Sequence, residues 1–169
     1  MARVLIATDA WHPQVNGVVR SLDTTARHLR ALGHVVEVVE PSAFASVAVP
    51  FYPEIRLALP RPGRVYDRVC RFRPDHVHIA TEGTIGLLVR HFCRRRGWRF
   101  TTSYHTRFPE YLNELVGVPV GPTYRFLKRF HNAAAAMMVA TRRSAAGAAA
   151  WTSACSTRGR SRRAGTRGR

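Results

Sequence analysis

VLIAT (residues 4–8) followed by WHPQVNGVVRSL (residues 11–22) decides the fold, because it reads as a buried strand, a loop holding one glycine, and the first turns of a helix. Pro13 and Gly17 punctuate the loop. Apolar residues then return at Val18, Leu22, Ala26, Leu29 and Leu32, spacings of three and four that set one stripe along a helix beginning at or just after Gly17. The first N–H groups of such a helix have no intrahelical partners and carry the positive end of its dipole, so a phosphate can rest against them. Gly17 has two readings at this point, a residue without a Cβ that lets the phosphate come close, or a plain turn residue. No G-x-G-x-x-G follows the strand, and the only lysine, Lys128, stands in no G-x-x-x-x-G-K-[ST] motif, which disfavours both dinucleotide binding of the common type and P-loop chemistry.

Outward from this unit, Gly33 is a natural helix stop, and HVVEVVEP (residues 34–41) is a second β-rich run ended by proline. Residues 42–64 hold Pro50, Pro53, Pro60 and Pro62 and read as a long functional loop with one short strand, Ile55 to Leu59. Val65 to Phe72 reads as a helix, His76 to Ala80 as a third core strand, and Thr84 to Arg96 as a helix ending at Gly97. A strand over Arg99 to Tyr104, a helix from about Gly121 to Ala134 and a last strand over Ala135 to Thr141 complete the order. This alternation predicts an α/β fold, a doubly wound Rossmann-like parallel sheet, whose ligands sit at the carboxyl ends of the strands.

That rule nominates Asn16, Gly17, Glu82, His105 and Arg107 to face one crevice. Glu82 and His105 are candidates for an acid/base pair, against the plainer reading of solvated strand ends. His76 and His78 lie two apart and share a sheet face, but no carboxylate or third histidine is placed to join them, which disfavours a metal site. Arg94, Arg95 and Arg96 read as a solvated helix end that complements the dipole.

The 169 residues suit one globular domain, and 46% apolar content is enough for a core. Residues 142–169 hold eight arginines and no acid, so the formal charge of +17 divides into +9 before this tail and +8 within it. Such a body favours anionic partners: sugar nucleotides, acidic lipid surfaces or nucleic acid. Cys70, Cys93 and Cys155 are odd in number and widely spaced, which argues against a disulfide framework and fits a reducing compartment. The expectation is a cytoplasmic protein. No run reaches the roughly 20 apolar residues of a membrane span, so membrane contact is expected only as peripheral attachment on the inner face of the cell membrane.

Four segments in order, PQVNGVVRSL (13–22), YPEIRLALP (52–60), HIATEG (78–83) and FTTSYHTRFPEYL (100–112), closely resemble the N-terminal half of family-4 glycosyltransferases. The resemblance lies near the bacterial α-mannosyltransferases and the related sulfolipid and glycolipid synthases, and it covers about residues 3–141. It implies one half of a GT-B fold, with the acceptor on this domain and the nucleotide sugar, such as GDP-mannose or a UDP-sugar, mostly on a second one. It also implies transfer with retention, without a metal or other cofactor, to a lipid or glycolipid acceptor. Carried over residue by residue, Asn16 and Gly17 match the loop whose backbone approaches the donor diphosphate. His105 matches the histidine that contacts the donor sugar near its reacting carbon and steadies an oxocarbenium-like transition state. Arg20, Glu82, Tyr104 and Arg107 are acceptor-side candidates, Arg107 being equally readable as a structural ion pair.

The familiar pattern stops near Thr141, short of the family's donor domain with its Glu-x7-Glu segment and basic Arg/Lys pair. The expected domains are therefore residues 1–141, an acceptor-side domain, and residues 142–169, a disordered tail of Arg, Ala, Ser and Gly. With 26 arginines to one lysine, the tail reads best as an out-of-frame translation of GC-rich DNA, and the chain is expected to be inactive alone. Two rival readings are a nucleic-acid binder acting through the tail, although no specific nucleic acid is expected, and a non-catalytic sugar- or nucleotide-binding module.

Overall fold

The structure is a computed structural model, and it describes residues 1–49, 52–105, 113 and 117–139; the tail over residues 142–169 lies outside them. Five strands form the main sheet: β1 (Arg3–Ala7), β2 (Val35–Val39), β5 (His76–Ile79), β6 (Phe100–Tyr104) and β7 (Ala136–Val139), in the order β2-β1-β5-β6-β7. β1 runs parallel to β2 and to β5, and β5 runs parallel to β6. Crossover helices α1 (Gly17–Ala31) and α3 (Thr84–Arg96) make the βαβ connections, and α2 (Pro62–Phe72) precedes β5. This is the doubly wound α/β sheet that the sequence predicts. A further helix, α4 (Val120–His131), belongs to a second compact unit.

β1 is buried on both faces, with Leu5, Ile6 and Ala7 at 1% exposure or less. Ile6 points to the side where α1 lays down Leu22 and Ala26, and Val36, Ala80 and Trp11 close that cluster. Each buried leucine- or isoleucine-sized side chain there contributes about 1.5–3 kcal/mol. The predicted stripe on α1 is correct at Leu22 and Ala26 but fails at Leu32, which is 74% exposed. The reason is local. Leu32 is the C-cap, the helix having ended, and Gly33 with φ +84 turns the chain so that the His34 N–H bonds the Leu29 carbonyl at 3.0 Å.

Segment 42–64 departs from the expected loop. A 3-10 turn, Pro41–Ala43, leads into β3 (Ser46–Val49) and β4 (Tyr52–Ala58), which pair antiparallel as a separate two-stranded ribbon. Pro53 stands inside β4 because a two-strand ribbon is all edge, where a missing N–H need not remove a ladder bond. α2 likewise starts three residues earlier than expected, at Pro62, whose fixed φ and absent N–H suit the first helical position. α3 covers Thr84–Arg96 and ends at Gly97 as predicted.

Candidate active site

β1, β5 and β6 lie side by side and parallel, so the residues that follow Ala7, Ile79 and Tyr104 share one edge of the sheet. Two helices also begin there. The sheet therefore gathers the turns after three strands around the positive ends of α1 and α3.

At α3 the anion is part of the chain. Asp9 is a cap for that helix from across the fold: its Oδ1 accepts from the Ile85 N–H at 2.8 Å and from the Thr84 hydroxyl at 3.2 Å. Its Oδ2 accepts from the Gly86 N–H at 3.2 Å and from the Thr81 hydroxyl at 3.0 Å. A Cβ at Gly83 would fall on this carboxyl group, and one at Gly86 would strike the Thr81 carbonyl oxygen, so both glycines are what lets α3 dock. Burial pushes the Asp9 carboxyl above its ordinary range, against the pull of the two N–H groups and two hydroxyls. Sequence reasoning missed Asp9. An acid directly after a core strand was the available signal, but its partners lie more than 70 residues along the chain.

At α1 the first turn is arranged otherwise. The Asn16 side chain accepts from the Val19 N–H at 3.0 Å, an N-cap worth about 1 kcal/mol, and its carbonyl takes the Arg20 N–H at 3.1 Å. The N–H groups of Gly17 and Val18 have no acceptor within the helix. Gly17 is exposed, its φ is not positive, and nothing lies within 4 Å of where a Cβ would stand, so neither packing nor backbone strain demands a glycine there. Arg20 is exposed and sits three residues on, over the same turn. Asn16 thus serves as a cap by its side chain, leaving the backbone of the next two residues to meet a ligand.

His105 follows the last residue of β6. Its Nε2 is shut off from solvent and has no hydrogen-bond partner among the described residues. Burial holds the imidazole below its ordinary value and so neutral at pH 7, while the charge of nearby Glu82 pulls the other way. The structure therefore brings Glu82 and His105 into electrostatic contact. Tyr104 closes β6, half-buried, and Arg107 lies outside the described residues.

His76 and His78 share a sheet face but do not act together. His76 is exposed, whereas both ring nitrogens of His78 are engaged, Nδ1 with the Thr101 hydroxyl and Nε2 with the Ser103 hydroxyl, each at 2.8 Å. Among the described residues no three metal-ligating side chains are grouped. No described helix is long and apolar enough to cross a membrane. Cys70 and Cys93 are unpaired, and burial pushes the Cys93 thiol up to about 12, a packed rather than reactive group.

Comparison with known proteins gives this edge a context. Residues 15–152 match the family described as Glycosyltransferase Family 4. A GDP-mannose-dependent alpha-mannosyltransferase of Mycobacterium tuberculosis is 30% identical over 135 residues, which are 70% of this chain and 35% of that protein. The sulfoquinovosyl transferase of Arabidopsis thaliana is 26% identical over 134 residues, 71% of this chain and 26% of that protein. A GDP-mannose-dependent alpha-mannosyltransferase of Mycolicibacterium smegmatis is 30% identical over 113 residues, 56% of this chain and 30% of that protein. The chain thus spans about a third or less of the length of these relatives. No solved structure gives a significant match. With the matched family spanning most of its residues and the doubly wound sheet in place, the chain belongs to glycosyltransferase family 4.

Proposed function

We propose that this domain supplies the acceptor side and part of the donor site of a retaining glycosyltransferase. In this reading a sugar, mannose above all, passes from GDP-mannose or a UDP-sugar to a lipid or glycolipid acceptor at an anionic membrane surface. The observation that carries the proposal is His105, a neutral imidazole at the carboxyl edge of a parallel sheet whose buried Nε2 has no hydrogen-bond partner among the described residues. A buried polar atom without a partner is costly, and a ligand hydroxyl that bonds it removes that cost. The names of the mycobacterial relatives support the mannosyl donor, and that of the plant relative supports a sugar-transfer reaction more generally.

In the proposed mechanism the donor diphosphate rests on the Gly17 and Val18 N–H groups, where the α1 dipole favours negative charge. His105 bonds the donor sugar and orients its reacting carbon, contributing a fixed dipole rather than a full charge as the glycosidic bond loosens. The acceptor hydroxyl oxygen bonds the reacting carbon from the face that the diphosphate leaves, the bond from that carbon to the diphosphate oxygen breaks, and the departing diphosphate takes the hydroxyl's proton. Same-face attack keeps the donor's configuration, and no metal takes part in this reading. Arg20, Glu82, Tyr104 and Arg107 then hold the acceptor.

Because family members place most donor contacts on a second domain, the chain of 169 residues is expected to be inactive by itself. The test is transfer from GDP-mannose by the purified chain, and by residues 1–139 joined to the donor-binding half of a family-4 relative. Transfer by the joined protein alone supports the reading. Turnover by the isolated chain overturns the two-domain account, and a joined, folded protein that never transfers sugar overturns the assignment itself.

A further inference from the structure

A group of cations among the described residues lies in a cleft of about 610 Å³ beside α2, lined by Arg3, Glu37, Phe44, Arg64, Arg71 and Phe72 among others. α2 carries Arg64, Arg68 and Arg71 at spacings of four and three, which places them along one helical face. Arg68 is already committed. Its Nε bonds Glu37 Oε1 at 2.6 Å and its guanidinium donates to the Val38 carbonyl at 3.2 Å, fastening α2 to the outer strand of the sheet. Arg3 is half committed: its Nε donates to the Phe72 carbonyl at 2.7 Å, and its guanidinium lies 4.7 Å from the centre of the Phe72 ring. Arg64 and Arg71 have no ion-pair partner among the described residues.

The geometry points to this cleft as a second anion site, one that takes a phosphate ester on Arg64 and Arg71 with Arg3 alongside. Arg64 and Arg71 stand two turns apart on one face with the single acid Asp67 between them, and a phosphate that takes both guanidinium groups balances the charge that remains. Arginine is suited to it because its planar fork meets a phosphate with two parallel bonds. Phe44 and Phe72, both half-buried, add apolar surface beside the exposed guanidinium groups. Its volume lies within the range of small-ligand pockets. Asp67, which also lines the cleft, provides an acceptor for hydroxyl groups on the ester's organic part. All these residues belong to the sheet-bearing unit and none is assigned to sugar transfer above, so the site does not depend on the proposed enzymatic role.

Calorimetric titration of the full chain with glycerol 1-phosphate at low salt tests the site, with vesicles of phosphatidylcholine and phosphatidylglycerol as a second arm. The Arg64→Gln and Arg71→Gln double variant, checked for folding by circular dichroism, is the comparison, and Gly17→Val controls for phosphate at α1. Saturable binding of the soluble ester that falls by about tenfold or more in the double variant supports a free ligand. Binding to vesicles alone, lost in the same variant, supports the same cleft occupied by a lipid headgroup. Binding that is equal in the wild type and the folded double variant, or lost only in Gly17→Val, overturns the proposal.

Discussion

Acidification should loosen this fold through His78, while Asp9, whose carboxyl is raised by burial, contributes with the opposite sign. The ring is buried, fixed between Thr101 and Ser103, and lowered from the ordinary 6.5 to about 4 by burial first and by His105 second. The folded state therefore prefers the neutral ring, and the unfolded chain binds the proton more readily. Stability from this source is fully present above about pH 6.5 and is lost as pH falls towards 4. At about 1.4 kcal/mol per pKa unit, the displacement is worth about 3 kcal/mol. For a chain of this size that corresponds to a fall in Tm of about 6–12 °C. His105, also lowered, adds a loss of the same sign. The assay is urea unfolding followed by circular dichroism at steps from pH 7 to pH 4, with wild type beside His78→Gln, whose amide can still donate to one hydroxyl and accept from the other. The variant should lose markedly less stability across the interval. Equal losses in the two proteins, or a wild type as stable at pH 4.5 as at pH 7, would refute the assignment of the burial cost to His78.

Asp9→Ala should cost about 3–5 kcal/mol, because two helix N–H donors and two hydroxyls lose a charged acceptor in a buried place; a urea midpoint near that of the wild type would contradict it. Gly83→Ala should destabilise comparably by displacing the same carboxyl group, with Gly63→Ala, where the added Cβ meets nothing within 4 Å, as the control in thermal unfolding. Gly17→Val should leave Tm within a few degrees, since that site is open, yet weaken GDP-mannose use in the joined two-domain enzyme. Unchanged kinetics there would return Gly17 to a turn residue.

The sheet was legible because parallel strands covered on both faces must be almost continuously apolar, as VLIA at β1 is. The ends of α1 and α3 were legible because Gly33 and Gly97 mark them, residues that turn the chain with φ +84 and +65, whereas the Asn16 cap was not read. The ribbon of β3 and β4 was not, because proline is ordinarily a sign against strands and only an edge pairing tolerates it. Leu32 misled because periodicity does not announce where a helix stops. At the candidate site, the positions of Glu82 and His105 followed from the strand-end rule, but their mutual influence and the unpartnered Nε2 depend on burial, which no local pattern encodes. Asp9 was invisible as a cap since Gly83 and α3 reach it only after the chain has crossed the sheet.

The central claim is that His105 acts on the sugar rather than on the fold. Its most direct test is the turnover of GDP-mannose by the joined two-domain enzyme carrying His105→Ala, measured beside the wild-type form together with Tm. A strand-end residue whose Nε2 bonds nothing else among the described residues can be truncated without opening the core. The account predicts a fall in kcat of roughly 100-fold or more, the scale for losing one positioned polar group, with Tm nearly unchanged. Full turnover by the folded variant, or unfolding of the variant while its folded fraction stays fully active, would contradict it.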